Sequence, residues 1–486
     1  MSTATQSITA FVPASRPIPT AALEVLGYLG VVAIGTLCFL LGWLQPNGAA
    51  VLTVLLLGTL LVLAWNRFHQ GRHPCFLFLV TLTLFQGGKL LSYCVGGEPS
   101  PLRIGGVAPY PFDISRDEAG IVLLCLALSA ICIYAPCRWN YRRIPPPADA
   151  PVRRYLPYLY LLFYATLPIQ LFKNYKYYEY VQQHGGYLSF WMNHGDVASS
   201  VSFLVRAIVL ISFPVFVAIF VFERRKKYLY LATVWYFATA SLVLLLGSRG
   251  GVFALVLTLW YVAGVKSAKK SRVVTAAALA LMLVVVGAVV QSLREVPESL
   301  SDFAFAPVEF VTLQGNSLDV TEVAVKYRKI LATYAASYLW NELLDAFVPR
   351  DVQDYARGRR LAYDVTVLLN PDAFSRGMGT GGSYLAEIYL LGGLGGVIVL
   401  SLLIGGGLHF LYCLSRNMVS LFVVAMVMPE VILMPRGQLL DWLSVLLRSA
   451  VSIVILVFCW LLYRTLTWQK QARRADGISP AGVGIA

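Results

Sequence analysis

The chain has 486 residues, of which 58% are hydrophobic and 13% are charged, and its formal net charge is +14. A soluble protein carries about 25% charged residues, so this composition excludes an ordinary soluble domain and predicts a polytopic membrane protein. Most of the basic residues fall in short loops between apolar segments, which indicates orientation in a membrane and excludes nucleic acid as a partner.

Apolar runs of bilayer-spanning length recur from one end of the chain to the other, which predicts an all-α fold with about twelve transmembrane helices. The first run lacks a cleavage-site pattern, so we expect it to be retained as a helix rather than removed as a signal. The predicted spans, in chain order, are 22–44, 49–66, 75–95, 118–137, 155–172, 201–222, 228–247, 250–265, 273–293, 384–412, 418–433 and 443–464.

The charges of the connecting loops predict how the helices are oriented. With the N-terminus in the cytosol, the short inner loops hold most of the loop Lys and Arg residues, and the C-terminal tail is also basic. Cytoplasmic loops of membrane proteins are enriched in these residues, so both termini are expected in the cytosol. The chain then divides into spans one to nine (1–293), a large outer loop with short helices (294–382), and spans ten to twelve with a cytosolic tail (383–486).

Two outer loops are long enough to carry structure of their own. In the larger one, residues 320–347 combine helical spacing with aromatic side chains, which predicts one or two amphipathic helices lying over the membrane face. The other, 173–200, is rich in tyrosine and contains His194.

Five basic side chains are predicted in the outer half of the membrane: Lys89, Arg206 and Arg448 within spans, and Arg249 and Arg436 at outward-facing hairpins. An unpaired charge at mid-bilayer costs about 3 kcal/mol or more. Each residue alone could extend its side chain to the interface or form a structural ion pair. Their shared depth, with fewer acids than bases nearby, instead favours an anion-binding site, for which the phosphates of a lipid headgroup are the obvious ligand.

Two glycine-rich turns precede predicted spans eight and ten. The sequence GSRGG (247–251) contains Arg249, and SRGMGTGGSYLAEIYL (375–390) contains Arg376. Helix N-termini offer free N–H groups and a positive dipole end to phosphate, so both turns are candidate phosphate sites; the alternative is an ordinary connection between helices. Neither turn matches a nucleotide-binding fingerprint.

The sequence contains no recognisable metal or cofactor motif. It has no HExxH, no CxxC and no carboxylate cluster of metal-ligand spacing, and its eight cysteines fall mainly inside apolar runs, so we expect no metal, no cofactor and no disulfide. Arginine can neutralise a leaving pyrophosphate in place of a divalent ion. Glu387 is the preferred general base on the outer face, although a salt bridge between Glu387 and an arginine is an equally open interpretation. The other base candidates are His184, His194 and Glu430.

Four motifs resemble those of bacterial O-antigen and oligosaccharide repeat-unit polymerases of the Wzy type. They are GSRGG at the start of span eight, QGNSL (314–318) in the large loop, GGSYLAEIYLLGGLGG (381–396) after it, and PRGQ (435–438). The resemblance covers the architecture of the whole chain and these short motifs. Members of that family act at the periplasmic face of the inner membrane, where they transfer a growing glycan from undecaprenyl pyrophosphate onto a fresh lipid-linked repeat unit.

The resemblance implies a metal-independent, lipid-linked glycosyltransferase with a GT-C-like helical fold. It implies catalytic roles for Arg249, Glu387 and Arg436, with tyrosines and tryptophans of 175–191 and 334–340 stacking on sugars. The expected partners are undecaprenyl-pyrophosphate-linked glycans, the lipid bilayer, a chain-length regulator and a flippase. The residues expected to bind pyrophosphate or glycan are Lys89, Arg206, Gln314, Arg376, Arg448 and His194.

Two other functions stay open at this point. An O-antigen ligase would use the same chemistry with a lipid A-core acceptor. A secondary transporter or flippase would be built from related halves with broken helices and polar residues near mid-membrane. The sequence displays neither pattern, because its polar residues cluster at the outer edge and the loop lengths of the two halves differ.

Overall fold

The computed structural model describes residues 19–68, 71–97, 100–102, 112–147, 154–184, 200–245, 249–267, 273–292, 300–347, 356–375, 379–444, 446–447, 450 and 454. Over these residues the chain is helical, and none of them lies in a β-strand. The described part of the chain is therefore all-α, as the apolar runs predict.

Within the described residues, ten helices precede the large loop. They are α1 (Pro19–Leu40), α2 (Pro46–Arg67), α3 (Pro74–Phe85), α4 (Gly88–Cys94), α5 (Arg116–Trp139), α6 (Leu156–Gln183), α7 (Phe203–Phe222), α8 (Lys226–Leu245), α9 (Arg249–Lys266) and α10 (Val273–Ser292).

The large loop itself is built from short helices, and two longer helices follow it. The loop helices are α11 (Leu300–Gln314), α12 (Ser317–Lys326), α13 (Arg328–Leu331), a 3-10 turn (Ala332–Tyr334), α14 (Ala335–Phe347), α15 (Leu361–Leu369) and α16 (Pro371–Ser375). The helices after the loop are α17 (Tyr384–Leu414) and α18 (Met418–Leu433).

Helices occupy eleven of the twelve predicted span positions, and the twelfth, 443–464, lies largely outside the described residues. Six of the described helices are long and apolar enough to cross a bilayer, and a seventh crossing results if the bent pair α3 and α4 counts as one. Several apolar spans are thus present. The count of twelve and the cytosolic position of the termini stay predictions.

Local sequence explains where the helices near the site begin. A proline stands in the first turn of α3, where its missing N–H has no intrahelical partner to lose. Ser115 and Glu118 form a capping box at the start of α5. At the start of α17 the hydroxyl of Ser383 accepts a hydrogen bond from the Ala386 N–H at 3.3 Å, which satisfies one of the free donors of the first turn.

The predicted span 75–95 is helical but is not one straight helix. It breaks at Gln86 and Gly87, where α3 and α4 are bent by 64°. The second half is drawn towards α11, because Gly88 lies so close to the Val311 carbonyl that a Cβ would approach its oxygen to 2.5 Å. Apolar character predicts the helix but not the break, which depends on contacts with a distant part of the chain.

The predicted span 384–412 is also interrupted, at Gly392 and Gly393 of α17. Gly393 has φ of +59°, a conformation that costs glycine little and other residues much more. The Arg328 guanidinium lies against this kink, so that a Cβ on Gly393 would lie 3.0 Å from one of its nitrogens. The span is therefore two helical pieces around a point of close side-chain approach.

Two expectations about the outer loops are corrected. Helix α6 continues to Gln183, so the first part of the predicted loop 173–200 is helical. Helix α12 does not have the exposed face expected of an amphipathic helix, because residues from Ser317 to Val325 are all buried and the helix packs against α5 and α17. A short polar helix can be buried in this way only when its neighbours satisfy its polar groups, and a single-segment pattern cannot reveal those neighbours.

Among the described helices, α5 and α17 pack against each other most extensively. Their backbones meet at Gly405, where a Cβ would lie 2.4 Å from the carbonyl oxygen of Ile133. Ser129 of α5 also lies 2.8 Å from the Tyr384 hydroxyl and 2.8 Å from the Ser401 hydroxyl of α17. These contacts fix the beginning of α17, which carries part of the candidate site.

Candidate active site

Four short segments that are far apart in the sequence meet at one end of the helix bundle. They are the break between α3 and α4 (86–89), the turn between α11 and α12 (314–319), the start of α17 (381–387) and the turn after α18 (435–441). We call this the four-segment junction. Three of its segments contain motifs on which the family resemblance rests.

Glycines allow the backbones of the junction to touch. A Cβ on Gly315 would lie 2.3 Å from the backbone nitrogen of Lys89, and a Cβ on Gly382 would lie 3.0 Å from the carbonyl of Gly437. Real Cβ atoms do not approach other atoms as closely as 2.3 Å. Close approach of one segment to another thus explains Gly315 of QGNSL and Gly382 of GGSYL, whereas Gly381 has a positive φ of +77°.

Gln86 connects three segments of the junction through buried hydrogen bonds. Its Nε2 donates to the Ser383 hydroxyl at 2.9 Å and to the Pro435 carbonyl at 2.6 Å. The Thr321 hydroxyl lies 2.9 Å from the Ser383 hydroxyl and donates to Gln86 Oε1 at 3.4 Å. A polar side chain inside an apolar span is a functional-site candidate by default, and Gln86 fixes the relative positions of the start of α17 and the Arg436 turn.

Lys89 forms a buried ion pair with Asp319 of α12. Its Nζ lies 2.5 Å and 2.7 Å from the two carboxylate oxygens, and the side chains are 12% and 7% exposed. The charge of Lys89 therefore has a partner inside the protein. It does not add to the surplus of positive charge from which the sequence predicts an anion site.

Arg436 is an exposed side chain on the tight turn that follows α18. Its guanidinium donates a hydrogen bond to Gln314 and lies over the ring of Phe85, 5.7 Å from the ring centre. The structure thus brings together two residues that the sequence assigns to the same site. An exposed guanidinium anchored on one side can still present N–H groups to a phosphate.

The first turn of α9, which begins at Arg249, lies beside the end of α18. A Cβ on Gly250 would lie 3.5 Å from the Leu433 side chain, and Leu433 precedes Arg436 by three residues. The side chain of Arg249 is outside the described residues. Arg249 and Arg436 therefore start from neighbouring helix ends, and the N-terminus of α9 adds a positive dipole end to this region.

Three carboxylates hold the turn that carries Arg436. Glu387 accepts the Leu439 N–H at 2.7 Å, Glu342 of α14 accepts the Leu440 N–H at 2.9 Å, and Asp441 accepts the Gln438 N–H at 3.0 Å. Glu387 is only 2% exposed. Burial, and next to it the negative charge of Asp441, raise the pKa of the Glu342 carboxyl to about 8.

The alternative expectation for Glu387, a salt bridge with an arginine, does not match the described contacts. Glu387 bonds to backbone, its nearest charged neighbours are Glu342 and Asp441, and no salt bridge of Glu387 occurs among the residues that the structure describes. Arg436, the arginine of the junction whose side chain the structure describes, is exposed and bonds to Gln314, whereas Glu387 is buried.

Of the remaining predicted site residues, Arg206 is described and lies outside the junction. Arg206, in the first turns of α7, has Lys173 and Tyr177 of α6 as electrostatic neighbours, and its Nε is buried without a hydrogen-bond partner in the described part of the chain. The other three are outside the described residues: His194, Arg376 and Arg448.

Sequence reasoning missed Gln86, Asp319, Glu342 and Gln438. Gln86 begins a Gln-Gly-Gly run inside an apolar segment, and such a run could have indicated a break in the helix. Asp319 and Glu342 look like ordinary loop acids until their partners are known. Gln438 belongs to the PRGQ motif; it is 5% exposed, and both polar atoms of its amide lack a partner among the described residues, an arrangement that costs free energy and often has a functional reason.

A possible metal-ligand group lies at the opposite end of α3. His73, Cys75 and Cys137 are buried, and their ligand atoms all lie within 4.8 Å of one another. His73 Nδ1 accepts the Cys75 N–H at 3.1 Å, and Cys137 donates to the Gly405 carbonyl at 3.1 Å. These bonds give the three residues structural roles. The sequence did not predict this group, because Cys137 joins it only through the packing of α5.

Comparison with known proteins agrees with the motifs. A family model described as O-antigen polysaccharide polymerase Wzy matches residues 29–470, a range that includes all four segments of the junction. No curated protein and no solved structure matches the chain.

Proposed function

The chain belongs to the O-antigen polysaccharide polymerase Wzy family, and from this premise we propose that it polymerises lipid-linked repeat units at the periplasmic face of the bacterial inner membrane. Family membership and the apolar spans make it a membrane protein of polysaccharide biosynthesis with glycosyltransferase-type chemistry. In the proposal the donor is a growing glycan on undecaprenyl pyrophosphate, and the acceptor is the sugar end of a fresh lipid-linked unit.

The observation that carries the proposal is the meeting of four distant segments at the four-segment junction. Nothing in helix packing alone requires glycine contacts, a buried glutamine network and a buried ion pair at the same end of a bundle. A polar site of this kind, built at the edge of apolar helices, suits a substrate that has a charged headgroup and a hydrocarbon tail. The exposed Arg436 and the N-terminus of α9 give it groups that can bind pyrophosphate.

In the proposed reaction, an acceptor hydroxyl oxygen attacks the anomeric carbon of the donor glycan. The bond from that carbon to pyrophosphate breaks, and its electron pair leaves with the pyrophosphate. Arg249, Arg376 and Arg436 hold the pyrophosphates and stabilise the charge that develops, so that no metal ion is needed for this role. The further binding residues Lys89, Arg206, Gln314, Arg448 and His194 stay proposals of the sequence.

Glu387 is the proposed acceptor of the hydroxyl proton. Its Oε1 has no hydrogen-bond donor in the described part of the chain, and the role requires this oxygen to be unprotonated when the acceptor sugar is bound. Because the side chain is 2% exposed, this role requires the turn 435–441 to move aside when substrate binds.

A transporter would also use broken helices, and the breaks in α3–α4 and α17 are of that kind. Family membership favours the polymerase. Loss of function separates the candidates: cells without a polymerase retain single-repeat chains on their acceptor, cells without a ligase accumulate lipid-linked polymer, and cells without a flippase retain single repeats on the cytosolic side.

The test uses Arg249→Lys and Arg436→Lys in cells that lack the native gene, with glycan ladder length on a gel as the measurement. Lysine keeps the charge but loses the planar fork that binds phosphate bidentately. A charge-assisted hydrogen bond contributes about 1.5–3 kcal/mol, so its loss at the transition state should slow polymerisation by roughly 10- to 150-fold. Protein level should stay normal.

Arg416→Lys is the matched control, because Arg416 is exposed on the turn between α17 and α18 at the other end of the bundle. It should leave ladders unchanged. Normal ladders from Arg249→Lys and Arg436→Lys, with ladders lost only in Arg249→Ala and Arg436→Ala, would favour simple charge placement over a pyrophosphate clamp.

A further inference from the structure

Two carboxyl groups lie against the turn 435–441, that of Glu387 in the junction and that of Glu342 in the adjacent helix α14. Glu342 and Glu387 both use Oε2 to accept a backbone N–H, from Leu440 and Leu439. The Oε1 atoms of both residues are buried and have no donor among the described residues, and the two carboxyl groups lie close together because the N–H groups they accept belong to adjacent residues. Ionised carboxylates only accept hydrogen bonds, so two of them cannot satisfy each other.

A single proton shared between the two groups gives both Oε1 atoms a hydrogen-bond partner. One carboxyl then donates and the other accepts, and both remaining oxygens keep their backbone N–H groups. Two carboxylates that share a site cannot both ionise at ordinary pH, because their like charges repel in a medium of low polarity. The pair then carries one negative charge in place of two.

We propose that Glu342 and Glu387 share one proton and that this acid pair holds the turn 435–441 in the geometry that presents Arg436. Glu342 is thereby a positioning residue, since it acts on Arg436 through the turn. The pair itself is independent of the reaction, whereas its effect on polymerisation rests on the proposed function.

The surroundings determine how easily the pair loses its proton. Asp441, on the turn itself, adds negative charge next to both carboxyls. The positive charge of Arg360 also acts on Glu342, but Arg360 is already paired with Asp345 at 2.8 Å. The proton is therefore retained up to mildly alkaline pH, in agreement with burial raising the pKa of Glu342 to about 8.

Loss of the proton should loosen the turn. Two full negative charges would then stand together beside Asp441, and repulsion would separate α14 from α17. Because the Leu439 and Leu440 N–H groups are bonded to one carboxylate each, separation pulls on two adjacent peptide groups of the same turn. Arg436 would lose its fixed position at alkaline pH.

The first experiment measures thermal unfolding of the full chain in detergent from pH 5 to pH 9.5, for the wild type and Glu342→Gln. A group whose pKa is raised by folding stabilises the folded state most at low pH, and this contribution is lost between its unfolded value near 4.5 and its folded value near 8. The melting temperature of the wild type should therefore fall over that range and level off above about pH 8. Glu342→Gln should lack this fall, because the amide donates permanently to Glu387.

The matched control is Glu309→Gln, since Glu309 is an exposed carboxylate of α11; it should follow the wild type. Equal pH dependence in wild type and Glu342→Gln would overturn the proposal. So would a rise in melting temperature on adding Mg²⁺ or Ca²⁺ that Glu342→Gln abolishes, because a cation would then occupy the place assigned to the proton. Neither readout depends on polymerase activity.

The second experiment follows glycan ladders made by membranes in vitro at pH 6.5 to 9. Wild-type activity should decline above about pH 8, Glu342→Ala should be defective throughout, and Glu342→Gln should restore activity and lose the alkaline decline. Failure of Glu342→Gln to restore what Glu342→Ala loses would contradict the pair. If the wild type makes no polymer at any pH, the proposed function fails while the unfolding result still decides the pair.

Discussion

At the scale of single residues, the described cations of the candidate site are of two kinds, one paired inside the protein and one exposed at its edge. Lys89, which pairs with Asp319, belongs to the first kind, and Arg436 belongs to the second. The sequence places both cations at similar depth, and depth alone cannot separate these roles. The acid that pairs with Lys89 is 230 residues away in the chain, so no local pattern could have identified it.

The Lys89–Asp319 pair leads to a prediction about stability. Lys89→Met or Asp319→Asn should each destabilise the protein strongly, by about 3–5 kcal/mol, because either change leaves a buried charge without its partner. The double variant should be less destabilised than the sum of the two single variants, since it leaves no charge unpaired. Thermal unfolding of the four proteins measures this coupling, and simple additivity would contradict the buried pair.

At the scale of helices, the positions of spans are predictable but their interruptions are not. Hydropathy locates α5 and α18 closely, because burial in lipid requires a continuous apolar run. The break at Gln86 and the kink at Gly393 arise where another segment touches the helix, and the period of a single helix contains no information about that contact. The burial of α12 also depends on contacts with distant helices, so the sequence of α12 alone does not predict it.

The glycine contacts of the junction give a prediction at this scale. Gly315→Ala should prevent α4 and α11 from touching, because the added Cβ would lie 2.3 Å from the Lys89 backbone nitrogen. Overpacking costs about 1–3 kcal/mol, and here it also displaces the ion pair and Gln314. Polymerase activity and melting temperature should both fall.

Gly395→Ala is the corresponding control in α17, since nothing lies within 4 Å of its added Cβ. In a helix interior alanine is favoured over glycine by about 0.5–1 kcal/mol, so this variant should be neutral or slightly more stable. Equal behaviour of the two alanine variants would mean that the close approach at Gly315 is unimportant.

At the scale of the whole molecule, the charged groups divide between two ends of the bundle. Glu24 pairs with Arg67 at 2.5 Å and with Arg138 at 2.8 Å, which joins the ends of α2 and α5. The four-segment junction lies at the other end of α3 and α17. The positive-inside rule places Arg67 and Arg138 in the cytosol, so the structure groups on one end two residues that the sequence assigns to one side of the membrane.

This division gives a prediction for the orientation of the protein. Cys94 is exposed at the end of α4, beyond the junction, and Arg416 is exposed at the opposite end. In a chain whose other cysteines are replaced, Cys94 should react with a membrane-impermeant thiol reagent applied to spheroplasts. Cysteine placed at Arg416, in a chain without Cys94, should react only after the membrane is permeabilised.

The labelling result also decides which compartment the candidate site faces. Cys94 follows Lys89 by five residues, so the side of the membrane on which it reacts is the side on which the junction opens. Labelling of Cys94 from outside would place Arg436 where exported lipid-linked glycans are found. The reverse pattern would place the junction in the cytosol, and the polymerase would then need a different site for its periplasmic substrate.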